Sequence, residues 1–211
     1  MKIIFDLDGT LIDSKLRLYK LFCYLIPQST FTFDEYWSYK FEGKSNVNIL
    51  EEKFGFKKAK LERFNCDWMG LIEQQEYLEY DTLLPGVKDF LISIKKEADI
   101  YLCTARQFHE STIKQLESLE LKDFFVKVLV TQQLRTKSEL IFSEVLNLSK
   151  EDWLVGDMGK DIIEGKSLGL RTCAVLTGFM VEEKLKQYAP DLILSSVTKF
   201  SQQLNTSNGI K

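Results

Sequence analysis

The chain has 211 residues, which is long enough for one sizeable core or for a core domain with a smaller insertion. Its 28 basic and 31 acidic residues leave a net charge of −3, so no nucleic-acid partner is expected. No stretch approaches about 18 consecutive apolar residues, so no membrane span is expected. The N-terminal apolar run stops at Asp6, too early for a secretory segment, and the four cysteines form no CxxC pair. We therefore expect a reduced, cytoplasmic location.

The first part of the chain predicts one strand followed by a long helical stretch. Residues 2–7 are a short apolar run that ends before Gly9, a pattern typical of a buried strand that leads into a turn. Residues 14–26 are rich in apolar residues and contain no glycine or proline, which predicts a helix with Ser14 as its N-cap. From about 31 to 81 the pattern remains helical and amphipathic.

The second part of the chain alternates strand-like and helical segments. Short apolar runs predict strands at residues 99–103, 126–130, 153–155, 171–176 and 192–194. Amphipathic segments predict helices at residues 86–97, 108–119, 137–147 and 159–168. This alternation predicts an α/β fold with a Rossmann-like, doubly wound parallel sheet. We expect a core of residues 1–13 and 82–200, an inserted α-helical cap of residues 14–81, and a flexible tail of residues 201–211.

Polar side chains follow the predicted strands at the edge where parallel sheets bind their ligands. These side chains are Asp6, Asp8, Thr104, Asp157 and Asp161, and Lys137 begins an intervening helix. Carboxylates that face one crevice repel each other unless a cation lies among them, and Mg²⁺ prefers oxygen ligands. A lysine and a hydroxyl can bind phosphoryl oxygens. The pattern favours Mg²⁺-dependent phosphoryl transfer, with an aspartate that is already ionised at pH 7 as the nucleophile.

The same residues resemble the motifs of the haloacid dehalogenase superfamily. Asp6-Leu7-Asp8-Gly9-Thr10 is similar to its first motif, DxDGT, and Thr104 and Lys137 are placed like its second and third motifs. Gly156-Asp157-Met158-Gly159-Lys160-Asp161 is similar to its fourth motif, GDxxxD. The helical stretch after Asp13 resembles the cap of many members. Leu84-Pro85-Gly86-Val87 and Gly178-Phe179 resemble the branch of phosphoglycolate phosphatases and β-phosphoglucomutases.

The resemblance implies a role for each matching residue. Asp6 would be the nucleophile and a metal ligand, and Asp8 the general acid and base, with its backbone carbonyl on the metal. Thr104 and Lys137 would hold the phosphoryl group. Asp157 would bind Mg²⁺, and Asp161 would support the metal site from close by. Asp8 also separates phosphatases and mutases of the superfamily, which have an aspartate there, from the haloacid dehalogenases, which do not.

Two parts of the sequence bear on substrate binding, and the first departs from the family pattern. The second motif often continues with asparagine, whereas Ala105 and Arg106 follow Thr104 here. Arg106 would contact a phosphate or the substrate, or it would face solvent. The segment 43–48 matches a cap region that often contacts substrate in this branch, so Lys44 and Asn46 are candidate substrate contacts, with a solvated loop as the alternative.

The motif set implies a phosphatase that hydrolyses a small phosphorylated metabolite, a phosphomonoester, through an aspartyl-phosphate intermediate. Two alternatives stay open: a sugar-phosphate mutase, and a regulatory protein that keeps the fold without turnover. Both a monomer and a homodimer are compatible with the sequence.

Overall fold

A computed structural model describes residues 1–201 of the chain. The strands, in chain order, are β1 (Lys2–Phe5), β2 (Ile12–Asp13), β3 (Thr82–Leu83), β4 (Asp99–Thr104), β5 (Lys127–Val130), β6 (Trp153–Gly156), β7 (Arg171–Val175) and β8 (Leu192–Leu194). The α-helices are α1 (Lys15–Leu25), α2 (Phe33–Phe41), α3 (Asn46–Phe54), α4 (Lys58–Leu71), α5 (Gln75–Leu78), α6 (Val87–Ile94), α7 (His109–Ser118), α8 (Lys137–Glu144), α9 (Gly159–Ser167) and α10 (Glu182–Lys186).

Six strands form one parallel sheet in the order β5-β4-β1-β6-β7-β8. The chain order reverses at β1, which pairs with β4 on one side and with β6 on the other. This topology confirms the predicted doubly wound parallel sheet. In such sheets the ligand crevice lies at the carboxyl ends of the strands, next to the reversal. Here that position is the end of β1, where Phe5 is aligned with Leu102 and Val155.

Both faces of the sheet are buried. The central strand β1 accordingly carries apolar side chains on each face. Ile3 and Phe5 pack in one core cluster with residues of α6 and α7. Ile4 points to the other face and packs in a cluster with Leu140 and Ile141 of α8. A continuous apolar run is therefore required in the central strand, since helices cover both of its faces. This packing fixes the end of β1 at the centre of one sheet edge.

A helical insert, α1–α5, lies between β2 and β3. These two short strands pair antiparallel, with Ile12 opposite Leu83, and carry both connections between the insert and the sheet. The insert has its own aromatic core around Phe22, which packs against four other rings at centroid distances of 4.9–6.3 Å. That this insert acts as a cap domain with the predicted boundaries remains a prediction at this stage.

Two predictions about the ends of elements need comment. Ser14 occupies the N-cap position of α1, but its buried hydroxyl accepts no capping hydrogen bond. The carboxylate of Asp13 accepts one from the Lys15 backbone N–H instead, at 2.9 Å. The predicted tail of residues 201–211 lies, apart from Ser201, outside the described residues.

Within residues 1–201, none of the helices has both the length and the apolar character needed to cross a membrane.

Candidate active site

The turn after β1 places Asp6 against the end of β6. The backbone N–H of Asp6 donates to the carbonyl of Val155 at 2.8 Å, which extends the β1–β6 pairing by one residue. Gly9 has a φ of +79°, and a Cβ added there would lie 2.6 Å from Oδ2 of Asp157. Gly178, after β7, approaches the same carboxylate so closely that a Cβ would lie 1.9 Å from it. Both positions therefore require glycine so that the loops can enclose Asp157.

Lys137, the first residue of α8, joins two of the predicted site carboxylates. Its buried Nζ donates to Oδ1 of Asp6 at 2.6 Å and to Oδ1 of Asp161 at 2.5 Å. No hydrogen bond to Oδ2 of Asp6 is present among residues 1–201. Lys137 thus lies at the edge of the sheet where it was predicted and contacts carboxylates there, whereas its role in holding a phosphoryl group stays a prediction.

Asp6, Asp157 and Asp161 form a compact carboxylate cluster. One carboxylate oxygen from each lies within 4.8 Å of the others, and all three side chains are buried. Oδ2 of Asp157 accepts from the Phe179 backbone N–H at 2.7 Å, whereas its buried Oδ1 has no hydrogen-bond partner. A buried carboxylate oxygen without a donor is costly unless a cation neutralises it. The donor set, three carboxylates and no sulfur or imidazole, fits a hard cation such as Mg²⁺.

The pKa shifts in the carboxylate cluster also indicate a site that a bound cation would stabilise. Burial, followed by the proximity of Asp161, raises the pKa of Asp6 to about 7, although Lys137 opposes the rise. Burial and the neighbouring Asp6 and Asp161 raise the pKa of Asp157 well above its usual range. Burial alone would lower the pKa of Lys137, but Asp161 and Asp6 outweigh it and hold that pKa well above its usual value. In the metal-free protein the pKa of Asp6 therefore lies near neutral pH, above the ordinary aspartate value on which the expectation of an ionised Asp6 was based.

Asp8 lies outside the carboxylate cluster, between two arginines. Nε and Nη2 of Arg106 donate to its two oxygens, each at 2.9 Å, and Nη2 of Arg17 donates to Oδ1. Burial would raise the pKa of Asp8, but Arg106 and Arg17 outweigh it and hold this pKa well below its usual range. In this arrangement Asp8 is a carboxylate and carries no proton to donate.

Asp81, just before β3, completes this ion-pair network. Arg17 approaches it with Nε at 3.2 Å, and Arg106 with Nη2 at 3.1 Å. Nε2 of Gln115 in α7 also donates to it, at 2.9 Å. Burial, opposed by Arg17, raises the pKa of Asp81 to about 6. We call Asp8, Arg17, Asp81 and Arg106 the arginine network.

Arg17 and Asp81 were missed by the sequence reasoning. One signal was present, since Arg17 lies four residues before the buried Leu21 and therefore shares its helix face. A charged residue on the buried face of a helix needs a partner, and such an arginine is rarely without function. Asp81 had no comparable signal, because it lies in a turn between α5 and β3.

A cavity of about 750 Å³ opens over these groups. The predicted site residues that line it are Asp6, Asp8, Thr104, Arg106, Lys137, Asp157 and Asp161. Thr104 ends β4 and is buried. Arg17, Leu18, Trp68, Met69, Ile72 and Glu73 of the helical insert also line the cavity.

Lys44 is the predicted substrate contact that the structure does not bring to this cavity. Its Nζ lies 2.6 Å from a carboxylate oxygen of Glu52 and 3.6 Å from one of Glu42. These acidic residues lie on the exposed side of the helical insert and hold the ammonium there. Asn46 is also directed elsewhere, since it accepts from the Tyr36 hydroxyl at 2.9 Å.

Comparison with known proteins leads to the family that the motifs resemble. The family model described as haloacid dehalogenase-like hydrolase matches residues 3–175. Pyrophosphatase PpaX of Halalkalibacterium halodurans is 23% identical over 206 residues, which cover 92% of each chain. A haloacid dehalogenase-like hydrolase structure from Streptococcus pneumoniae superposes with a TM-score of 0.78 at 21% identity, covering 96% of this chain and 97% of that one. The structure of a predicted phosphoglycolate phosphatase from Haemophilus somnus gives 0.75 at 18% identity and covers 96% of both chains. With the family model matched over most of its length, this chain belongs to the haloacid dehalogenase-like hydrolases.

Proposed function

We propose that this hydrolase is a Mg²⁺-dependent phosphatase that cleaves a small phosphomonoester metabolite through an aspartyl-phosphate intermediate. One observation carries the proposal. Asp6 has one oxygen held by Lys137 and the other free, and it lies beside the unpartnered oxygen of Asp157. The proposed nucleophile, the proposed phosphoryl-binding cation and a candidate metal ligand line one cavity, which supports the proposal.

The metal would be held by the carboxylates of Asp6 and Asp157, with Asp161 close by and the Asp8 backbone carbonyl as a further ligand. When bound, Mg²⁺ would supply positive charge that offsets the repulsion between the anionic nucleophile and the anionic phosphate. The same charge would lower the pKa of Asp6 from about 7 and so favour its ionised form.

Each of the proposed catalytic residues has its own role in the two steps of the reaction. The free oxygen of Asp6 attacks phosphorus, and the bond from phosphorus to the leaving-group oxygen breaks. Asp8, which must first turn from the arginines and take up a proton from water, donates that proton to the leaving-group oxygen, so the alcohol leaves neutral. Water then attacks the phosphorus of the aspartyl phosphate while Asp8 takes its proton. Phosphate is released and Asp6 is restored. Lys137 and Thr104 bind the phosphoryl oxygens in both steps.

The helical insert is proposed to act as the cap over this chemistry. It reaches the sheet on two sides of the cavity. Trp37 stacks on Phe179 with ring centroids 5.5 Å apart, and Glu73 accepts from the Gln107 and Phe108 backbone N–H groups at 2.8 and 3.2 Å. A covered site excludes bulk water, which favours small metabolites over phosphoproteins.

Phosphate release from para-nitrophenyl phosphate, with and without Mg²⁺, tests the proposal. We expect turnover by the wild type that depends on Mg²⁺. Asp6→Asn should lose about 10⁴-fold or more of it, because the amide cannot form the aspartyl phosphate. Asp123→Asn, which makes the same change at an exposed position, is the matched control and should behave as the wild type.

Comparable metal-independent turnover by wild type and Asp6→Asn would contradict the proposal. A mutase would instead release little phosphate from a hexose phosphate and would need a bisphosphate activator. Binding of Mg²⁺ and a phosphate mimic without turnover of a wide substrate panel would favour the regulatory alternative. Inorganic diphosphate belongs in that panel, because it is the substrate in the name of the relative from Halalkalibacterium halodurans.

A further inference from the structure

The arginine network is unusual because it buries two cations beside the proposed general acid. Arg17 is 3% exposed and Arg106 is 4% exposed. Both oxygens of Asp8 are engaged, since Arg106 donates to each of them and Arg17 donates to Oδ1. Nη1 of Arg17 is buried and has no hydrogen-bond partner, although Arg17 lines the cavity. The network therefore has unused donor capacity within the site.

Asp8 cannot hold the arginines and act on the substrate at the same time. To reach the leaving-group oxygen, it must turn away from at least one guanidinium. Asp81 would then be the remaining carboxylate in contact with both arginines. Glu73, which also lines the cavity, is already engaged by the backbone N–H groups of Gln107 and Phe108. Two buried cations would face one anion, and an uncompensated buried charge is strongly unfavourable.

We infer that Arg17 and Arg106 form a second anion-binding subsite, which takes a second anionic group of the substrate and releases Asp8 for catalysis. This rests on the proposed phosphatase function. Guanidinium groups bind carboxylate and phosphate oxygens in pairs, which suits a planar or tetrahedral oxyanion. The substrate class is thus a small phosphate compound with a second phosphate or a carboxylate. Its transferred phosphoryl group would lie at Lys137, and its second anion would replace Asp8 at the two arginines.

A purely structural role is the competing explanation, because the same contacts join α1 of the helical insert to the loop after β4. Such a role predicts that loss of Arg17 or Arg106 lowers the stability of the protein and reduces kcat/KM by the same factor for every substrate. The subsite predicts instead that the preference between substrates changes. Discrimination between matched substrates therefore separates the two roles.

Three substrates of similar length provide the measurement. Propyl phosphate has one anionic group, 2-carboxyethyl phosphate adds a carboxylate, and propane-1,3-diyl bisphosphate adds a phosphate. We expect wild-type kcat/KM for at least one of the two-anion substrates to exceed that for propyl phosphate by about 30-fold or more, because buried donors left unpaired disfavour the smaller substrate. The more active of the two identifies the second anion.

Arg17→Met and Arg106→Met should bring this ratio close to 1. Arg63→Met removes an arginine that is 86% exposed at its side chain from the same helical insert and should leave the ratio as in the wild type. Arg17→Lys keeps the buried cation if the methionine variants do not fold, and it should retain only part of the preference because lysine lacks the paired donors. Circular dichroism and thermal unfolding identify the folded variants.

Equal kcat/KM of the wild type for all three substrates would overturn the subsite, as would a preference that stays at the wild-type value in a folded Arg17→Met or Arg17→Lys variant. Calorimetric binding of methylphosphonate, phosphonoacetate and methylenediphosphonate separates failure of the subsite from failure of the proposed function. An enzyme without turnover that binds either of the two-anion compounds more tightly than methylphosphonate, in a manner that depends on Arg17, would refute the phosphatase and retain the subsite. Turnover without that difference in binding would retain the phosphatase and refute the subsite.

Discussion

The interior of the helical insert and the edge of the parallel sheet are stabilised in opposite ways. The insert buries aromatic rings around Phe22 in a cluster of hydrophobic residues. The sheet edge buries three carboxylates and a lysine at the end of the central strands, with one carboxylate oxygen left without a partner. The first arrangement gains free energy from burial of apolar surface. The second costs free energy, which is the usual cost of preorganised catalytic groups.

Replacing Asp157 by asparagine should have the largest effect and should change activity and stability in opposite directions. Asp157→Asn removes a proposed metal ligand, so kcat/KM should fall by about 10³-fold, a loss of about 4 kcal/mol of transition-state stabilisation. The same change removes a buried repulsion, so the metal-free protein should gain about 1 kcal/mol in the free energy of unfolding at pH 7.

The sign follows from the raised pKa of Asp157 in the folded chain. A carboxyl group with a raised folded pKa holds its proton longer in the native state, so its contribution to stability falls as the pH rises above about 4. Thermal unfolding at pH 5 and pH 7, with and without Mg²⁺, measures this. Asp123→Asn should show neither effect. If Asp157→Asn destabilised the metal-free protein at pH 7, the contrast between the two regions would fail.

Phe22→Ala tests the other region. Phe22 is fully buried among Phe31, Tyr36, Phe54 and Phe64. Its loss should lower the free energy of unfolding by about 3 kcal/mol or more, because the protein buries less apolar surface and is left with a cavity among the other rings. Phe142→Ala, at a ring that is 75% exposed on α8, should change it by less than about 0.5 kcal/mol. Similar losses for both variants in urea denaturation would show that the aromatic cluster adds little.

The contrast also explains which parts of the molecule were predictable from the sequence. Asp6, Asp8, Thr104 and Asp157 follow strands, and parallel strands bring their carboxyl ends to one edge, so the sequence placed them together. The strands β2 and β3 have two residues each, too few for any alternation to be detected.

The contacts of the helical insert could not be predicted in the same way. The partners of Arg17 depend on how α1 packs against the sheet. No periodic pattern of apolar residues in the sequence determines this packing. The position of Lys44 was unpredictable for a similar reason. Its ammonium group donates to Glu52, eight residues later in the chain, on the exposed side of the insert. Motif spacing positions groups on one rigid edge, whereas contacts between two packed units depend on their full shapes.

Lys40 is an exception within the helical insert, and its replacement should have the smallest effect. Its Nζ lies 3.3 Å from Oδ1 of Asn46, and burial lowers its pKa to about 8. The unfolded pKa is about 10.4, so the unfolded chain binds more protons between pH 8 and pH 10 and stability rises over this interval. Lys40→Met removes the penalty that the wild type carries below pH 8, which should add on the order of 1 kcal/mol at pH 7.

The pH profile of this gain distinguishes relief of a buried charge from ordinary packing. The difference in the free energy of unfolding between Lys40→Met and the wild type should shrink from pH 8 to pH 10, because the wild-type lysine then loses its proton in the folded state while the unfolded chain still holds it. Other titrating groups are shared by the two proteins and cancel. Lys58→Met, at a side chain that is 90% exposed, should give no gain at either pH. A gain that is independent of pH would mean that methionine packs better and that the charge of Lys40 carries no penalty of its own.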